Sequence, residues 1–568
     1  MLPKNSKYRA GMNRANPIFL AVGLVLFAAV LSLMTVAKGG LYLAKHEGDV
    51  VHFLNLIFRL ADGEKPHVDY STPIGVLAYA PASLFVWMGD GIGHALMHAQ
   101  ILVAAVMLPA IWWVMWTRLR NVPAWFMGIY IICLLLALTP GGLDGNLSMS
   151  MSYNRWAWAA TYLVVLLSFL PPNDRTRHEW IDGALIGLLF AVLVMVKMTY
   201  VVALVVRVVF CLATRRAWKS VAAAGIAGLL ALGAATVVQG TGFWLAYVND
   251  LIAVSQSPIR PQPGETFEVL LGAPEYLAIN LSLLLGIILL RQGLETRAGL
   301  LLLILAPAFT YITYQNYGND PYWQMLYFAL LIHVLPAANL RNVFGWPLRQ
   351  AVVALSCAVL AMAAPSLFSM GYSPYRHLSI PLADYAPLLT NSGKDRDLLF
   401  TIERLYRIDA RVALDETSRT LMSYTDQTSR ETEAVAFQGQ PLRNCELLGG
   451  FGAWYGAVSS DLQESGLASG ALIYEADQIE GLPLFGPFGR LRGGSPWYYG
   501  GAPGYEDADF LLVPECPIGA RARKALLDAI SQRNEPPLNR GKTEHCPSLS
   551  RELTGLSTRE SPPAGLFR

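Results

Sequence analysis

The chain has 568 residues, 54% of them hydrophobic and only 15% charged, with a formal net charge of +2. Soluble domains carry about 25% charged residues, so the composition argues against a wholly water-soluble protein, and the small net charge argues against a nucleic-acid partner. The apolar excess is confined to residues 1–370, whereas residues 371–568 have ordinary soluble composition and enough length for a core of their own.

In chain order, Lys4, Lys7, Arg9 and Arg14 precede the apolar run Pro17–Ala37. A run of about 20 residues is long enough to span a bilayer, and no small-residue cleavage site follows it, so a retained first helix is expected. Basic residues favour the cytosolic side. The clusters at the N-terminus, Arg118/Arg120, Arg175/Arg177, Arg215/Arg216/Lys219, Arg291/Arg297 and Arg341/Arg349 share that side only if Pro73–Met88 does not cross. That stretch is short and bounded by Pro73 and Gly89, and it reads as a re-entrant or surface-lying element. The expected spans are then 17–37, 96–117, 122–141, 155–171, 182–196, 199–214, 220–239, 276–290, 298–313, 322–339 and 350–369. The reading is a polytopic α-helical membrane protein of about eleven spans (1–370) followed by an extracytoplasmic α/β domain (371–568), set in the bacterial cell membrane with that domain and the active site facing the periplasm or outside.

In the polar part, Leu398, Leu399, Ile402 and Leu405 predict a helix over Asp395–Arg407. Arg411–Leu414 and Asp509–Val513 read as buried strands, and Ala520–Ile530 as a helix. The Gly/Pro/aromatic stretch Gly481–Gly504 reads as loops, and the chain from Asn534 as an extended or disordered tail. Cys133, Cys211 and Cys357 fall in spans. Cys445, Cys516 and Cys546 fall in the polar part and form no CxxC pair, which argues against zinc. In an oxidising compartment two of these pair; Cys516 with Cys546 is preferred, because each precedes a proline.

The first outer loop carries the densest chemistry. Glu47 and Asp49 precede Val50–Leu60, whose Val50, Phe53, Leu54, Ile57 and Leu60 share one helical face. Such a helix would lie in the interface and hold Asp49 at headgroup depth, as a general base toward an acceptor hydroxyl or, through a divalent ion, as a brace for a leaving phosphate. The competing reading is a solvated acidic loop. His67-Val68-Asp69-Tyr70-Ser71-Thr72-Pro73-Ile74-Gly75 follows, and on its own reads as a turn set by Pro and Gly. Lys197 sits where two short apolar runs meet, as a site residue or a snorkelling one. The loop 240–275 brings Phe243, Trp244, Tyr247, Asp250, Arg260 and Glu265. The run Tyr314–Trp323 brings Gln315, Asn316, Tyr317, Asn319 and Asp320, suited to sugar stacking and hydroxyl recognition or to an interfacial aromatic belt. His94 and His98, one helical turn apart, read as packing residues before a metal pair.

The order of these elements in the first loop resembles the GT-C superfamily of polyprenyl-phosphate-sugar-dependent glycosyltransferases, near its protein O-mannosyltransferase-like group: an acid (Asp49), an amphipathic helix, Gly63, the step Pro66-His67-Val68-Asp69-Tyr70, and the segment Pro73-Ile74-Gly75. His67 stands where an aromatic is common, and Gly75-Val76-Leu77 replaces a common Gly-Pro-Leu. The resemblance covers roughly residues 15–370. It implies a re-entrant element after the loop, a polar second outer loop and a C-terminal domain on the outer side. It also implies that Asp49, with Glu47 or Asp69 as substitutes, is catalytic and that Lys197 and Arg155 bind the donor phosphate. Asp144, Asn154, Tyr317, Asn319 and Asp320 would bind substrate. In many relatives the second loop contributes an acid; Asp144 or Asn154 stands there, which leaves dependence on magnesium or manganese open.

The expected activity is transfer of a sugar from a polyprenyl-phosphate donor to a lipid, glycan or protein hydroxyl, with inversion. The rivals are a transporter or flippase of lipid-linked glycans, or an assembly protein. Transporters place ionisable groups at mid-membrane and show internal repeats. Here no repeat is visible, and the polar groups gather in loops.

Overall fold

The computed structural model describes residues 15–172, 178–260, 263–264, 266–293, 296–317, 320–412, 436–442, 445–533, 539–542 and 547–550. A helix occupies each of the eleven apolar segments: α1 (Pro17–Val36), and after the short helices α2 (Glu47–Ala61) and α3 (Ala80–Trp87), α4 (Ile92–Arg118), α5 (Asn121–Leu136), α6 (Ser152–Phe169), α7 (Glu179–Val196), α8 (Met198–Thr214) and α9 (Trp218–Gln239). Helices α10 (Gly242–Ser255) and α11 (Phe267–Gly272) then precede α12 (Pro274–Gln292), α13 (Thr296–Gln315), α14 (Trp323–His333) and α15 (Leu348–Ser379). Six of these, α1, α4, α7, α9, α13 and α15, are long and apolar enough to cross a membrane. Every residue of α6 is buried, so it forms the centre of the bundle. By contrast α9 exposes Leu229, Leu230, Val237 and Val238, the all-round apolar surface of a lipid-facing helix.

The bundle has two chemically distinct ends. At one, Arg118 pairs with Asp182, Arg215 donates to the carbonyls of Leu167 and Ser168, and Arg297 donates to Thr214. Arg207, inside α8, donates to the carbonyls of Ile304 and Ala203. At the other end the long loops and the polar C-terminal part gather. Pro73–Met88 becomes a single 3-10 turn and the eight-residue α3, with Leu84, Trp87 and Met88 exposed. Gly75 donates to the Val196 carbonyl at 3.2 Å, and a Cβ there would overlap the Met195 carbonyl.

The polar part does not stand off from the bundle, and α15 runs without a break across residue 370. Strand β1 (Leu41–Leu43), from the first loop, pairs in parallel with β3 (Leu398–Thr401), which also pairs with β2 (Tyr385–Pro387). Asp395 and Asp397 accept from the first amides of α4: Ile92 at 3.1 Å, Gly93 at 2.9 Å and His94 at 2.9 Å. The His94 ring also binds Asp397, and the His98 ring binds Asp90. Carboxylates here satisfy orphan amides at a positive helix end. This overturns the continuous helix expected over Asp395–Arg407: Leu398–Thr401 is a strand because its partner β1 comes from a distant loop, leaving a 3-10 turn at Asp395–Asp397 and an α-helix at Ile402–Tyr406.

Strand β4 (Asp409–Val412) pairs with β7 (Cys445–Gly449), and the short β5 (Ala436–Phe437) with β6 (Gln440–Pro441). Strand β8 (Ile473–Glu475) lies parallel to β9 (Phe510–Leu512). Two pieces of the expected tail, β10 (Asn539–Lys542) and β11 (Pro547–Ser550), extend that sheet, so these described pieces are paired rather than disordered. The helix expected over Ala520–Ile530 spans Ala520–Ser531, with Ala522, Leu526, Leu527 and Ile530 on its buried face.

Helix α2 is not the interfacial helix expected. Its predicted apolar face is buried, but so are Val51, His52, Asn55, Leu56 and Arg59, because chain from the polar part covers its other side. Arg59 is the buried contact between them. It donates to Asn55 at 2.8 Å, Glu64 at 2.7 Å, the Leu491 carbonyl at 3.1 Å and both oxygens of Glu480 at 3.1 and 2.9 Å.

The disulfide joins Cys445 to Cys516, which corrects the expected Cys516–Cys546 pair; Cys546 lies outside the described residues. The approach of β7 to the loop after β9, where the Leu447 amide meets the Pro517 carbonyl at 2.8 Å, selects the partner, and sequence spacing does not encode it.

Two outcomes are expected. Denatured, unreduced protein should titrate four thiols of its six cysteines, and Cys445→Ser should cost about 4 kcal/mol in the chain-entropy picture for a separation of 71 residues. Six thiols would contradict the bond. Arg59→Met should cost about 3–5 kcal/mol by stranding Glu480, with part of that loss recovered in Arg59→Met/Glu480→Gln; equal stability of the single and double variants by thermal unfolding would contradict the pairing.

Candidate active site

Asp49 is the third residue of α2, in the first turn at its positive end. Helix entry is set by His46, whose φ of 61° is left-handed. The second loop runs beside this entry: Ala44 donates to the Leu147 carbonyl at 2.9 Å, Lys45 pairs with Asp144, and the His46 ring lies 2.9 Å from the Ser148 hydroxyl. Ser150 donates to the Asp49 carboxylate. Burial holds the Asp49 carboxyl above the usual carboxylate range, against Ser150 and His46, which lower it. By surface exposure the residue is half-buried, not fully enclosed.

Phenols lie within the field of Asp49, and two cations lie against phenols of the same group. Lys197 fills the junction of α7 and α8. It donates to Asn154 at 3.1 Å and to Asn316, and lies 5.7 Å from the Tyr153 ring centroid. Burial first, and then the charge of Arg260, pull its ammonium down to about 7. Arg260 stacks 4.1 Å from the Tyr317 ring centroid. Burial raises the hydroxyls of Tyr317 and Tyr499, and the field of Asp49 adds to this at both while Arg260 opposes it. Asp49 and Lys197 are therefore linked through Tyr153, and Asp49 and Arg260 through Tyr317 and Tyr499, with Asn154 bonded to Lys197.

The other expected site residues lie elsewhere. Glu47 is fully buried; it accepts from the Phe451 amide at 3.1 Å and sits 3.6 Å from Arg404, which docks α2 on the helix Phe451–Glu464. Asp69 accepts from the Lys65 amide at 2.7 Å and closes a turn. Asp144 is held by Lys45 and the Asn146 amide. Asp320 accepts from the Gly142 amide at 2.9 Å and pins the second loop. Arg155 is fully buried, donates to the Ala137 carbonyl at 2.6 Å and lies beside Tyr322. Asn319 lies outside the described residues.

A buried pair braces the site from the side. His67 lies 2.8 Å from Asp250, which also accepts from Ser71 at 2.6 Å and the Thr72 amide at 2.9 Å. The His67 ring stacks on Tyr247 at 4.4 Å. Phe243, Tyr247 and Asp250 share the buried face of α10, while Leu245, Val248 and Ile252 are exposed on the other; that helical spacing was a signal in the sequence for a docked helix. Arg260 had no such signal beyond its place in an aromatic loop, and Tyr499 had none.

Among the described residues no group of three or more His, Cys, Asp or Glu side chains is placed to hold a metal ion. The groups around Asp49 are the Ser150 hydroxyl, the His46 ring and the phenols of Tyr317 and Tyr499, with no second carboxylate among them. Magnesium and manganese take several oxygen ligands, carboxylates foremost, and this donor set does not fit them.

No protein-family model matches the chain, and no curated protein matches its sequence. Among solved structures it is similar to the arabinofuranosyltransferase AftD from Mycobacteria, solved by single-particle cryo-EM, over 95% of this chain and 40% of that one, at 11% identity and a TM-score of 0.36. The chain thus spans less than half of that protein, and an overlap this loose assigns no activity. The likeness to the O-mannosyltransferase-like group accordingly rests on the first-loop residues alone.

Proposed function

We propose that the chain is an integral-membrane glycosyltransferase that moves a sugar from a polyprenyl-phosphate donor to an acceptor hydroxyl at the loop-bearing end of the bundle. The observation that carries this reading is that the partly exposed Asp49 acts on Tyr153, Tyr317 and Tyr499, the same rings that lie beside Lys197 and Arg260. A carboxylate of raised pKa suits proton abstraction, and paired cations suit a phosphate leaving group. Asp49 takes the proton of the acceptor hydroxyl as its oxygen bonds to the anomeric carbon. The bond from that carbon to the phosphate oxygen breaks, the electron pair leaves with the polyprenyl phosphate, and Lys197 with Arg260 neutralises the new charge. One displacement inverts the anomeric centre. Arg260 replaces Arg155 in this scheme because Arg260 and Asp49 act on the same two phenols, Tyr317 and Tyr499, whereas Arg155 lies beside Ala137 and Tyr322. The outward orientation of this end is part of the proposal and rests on the gathering of basic residues at the opposite end.

In proteoliposomes supplied with labelled polyprenyl-phosphate sugars and an envelope extract as acceptor, Asp49→Asn should lower transfer by about 10²–10⁴-fold, the usual share of general-base assistance, with little change in thermal stability. Glu47→Gln should do the reverse: transfer within a few-fold and a lower melting temperature. Full activity in Asp49→Asn would remove the base from this scheme.

The pH profile follows from the same two groups. Asp49 must be ionised, so activity should fall on the acid side at a pH above the usual carboxylate range. Lys197 must be protonated, so activity should fall again as pH rises through about 7. Lys197→Arg should shift the alkaline limb upward, since guanidinium stays charged; an unmoved limb would assign it to another group.

A further inference from the structure

Tyr317 and Tyr499, the phenols that feel the field of Asp49, also line a cavity of about 430 Å³, with Arg260 and Gly264 from the loop after α10 and Gln478, Trp497 and Arg521 among others from the polar C-terminal part. Its volume is in the range of small-molecule sites. Two features define its chemistry. Among the described residues the lining contains two arginines and neither aspartate nor glutamate, so these walls are cationic. Its walls are aromatic rings with an amide, which suits the alternating CH faces and hydroxyls of a sugar.

The aromatic wall is built rather than incidental. Trp497 bridges Ile479, and Tyr498 donates its amide to the Gln478 carbonyl at 2.8 Å. The Trp497 ring lies 5.2 Å from that of His52, one turn beyond Asp49 on α2. The preceding glycines bind the first loop, Gly493 to the Asp69 carbonyl at 2.7 Å and the Ser71 amide to Gly494 at 2.9 Å. The C-terminal part thus presents its aromatics at a fixed distance from the general base. The two arginines differ in their commitments. Arg260 is stacked on Tyr317, bonded to the Pro263 carbonyl at 3.2 Å and close to Lys197, so it belongs to the donor side. Arg521, in the first turn of the helix Ala520–Ser531, is exposed and makes no hydrogen bond or ion pair among the described residues.

We infer that this cavity is the acceptor subsite and that it selects a saccharide bearing an anionic group, a uronate or a phosphate, which Arg521 reads while Trp497 and Tyr499 hold the sugar faces. This rests on the proposed glycosyl transfer for the word acceptor, but its test does not require turnover. Full-length protein in detergent is titrated by calorimetry with digalacturonic acid, with neutral galactobiose and with galactose 6-phosphate. The anionic sugars should bind about tenfold or more tightly than galactobiose, the share of a hydrogen bond to a charged group, and the tighter of the two names the anionic group. Arg521→Gln, at an exposed position, should abolish that preference and leave galactobiose binding unchanged. Equal binding of neutral and anionic sugars, binding of none, an unaltered preference in Arg521→Gln, or displacement of digalacturonate by farnesyl phosphate would each overturn the assignment. Asp49→Asn should bind the anionic sugars as the parent does, so a failed base assignment and a failed subsite are read separately.

Discussion

The buried guanidinium of Arg59 is the interaction on which the arrangement of the site depends. An unpaired charge in that position would cost several kcal/mol, and its partners come from three places: Asn55 on its own helix, Glu64 in the following turn, and Glu480 with the Leu491 carbonyl from the distant polar part. Satisfying one arginine therefore requires chain more than 400 residues away to lie along α2. Once residues 480 and 491 are fixed, Trp497 and Tyr499 have little choice of place, and the cavity wall follows. Glu47 repeats the device at the helix start through the Phe451 amide, and Asp395 with Asp397 repeats it on α4.

Around Asp49 the backbone is held in conformations that side chains usually avoid. Among the described residues six non-glycine positions have positive φ, and four of them, His46, His67, Met151 and Tyr317, lie in the loops that build the site. Each costs of order 1–3 kcal/mol and persists only where neighbours over-determine it. Here the neighbours are Ser148 for His46, Asp250 and Tyr247 for His67, and Arg260 for Tyr317. The strain is thus held by the contacts that aim the side chains.

The same balance of charge separates two kinds of acid in this molecule. Glu47, Asp250, Asp320 and Asp397 accept from backbone amides and act as fasteners between loops. Asp49 accepts from a single serine hydroxyl, which leaves its other lone pairs for a proton or an acceptor. Counting acids in a loop does not distinguish the two; counting the amides each one satisfies does.

The sequence by itself determined the helical segments, because apolar runs of membrane length and the basic residues at their ends are local signals. It also determined that Asp49 begins a helix and that Lys197 interrupts an apolar run, since a charged residue there stands out against its neighbours. Tertiary structure alone decided that Leu398–Thr401 is a strand, that α2 is buried on both faces, that Cys445 and not Cys546 meets Cys516, and that Tyr499 and Tyr317 come within the field of Asp49 with Arg260 stacked on Tyr317, while Asp144 pairs with Lys45 and Arg155 with the Ala137 carbonyl. Each of these depends on a partner far along the chain, and a partner brought near only by folding leaves no periodicity or spacing behind in the sequence.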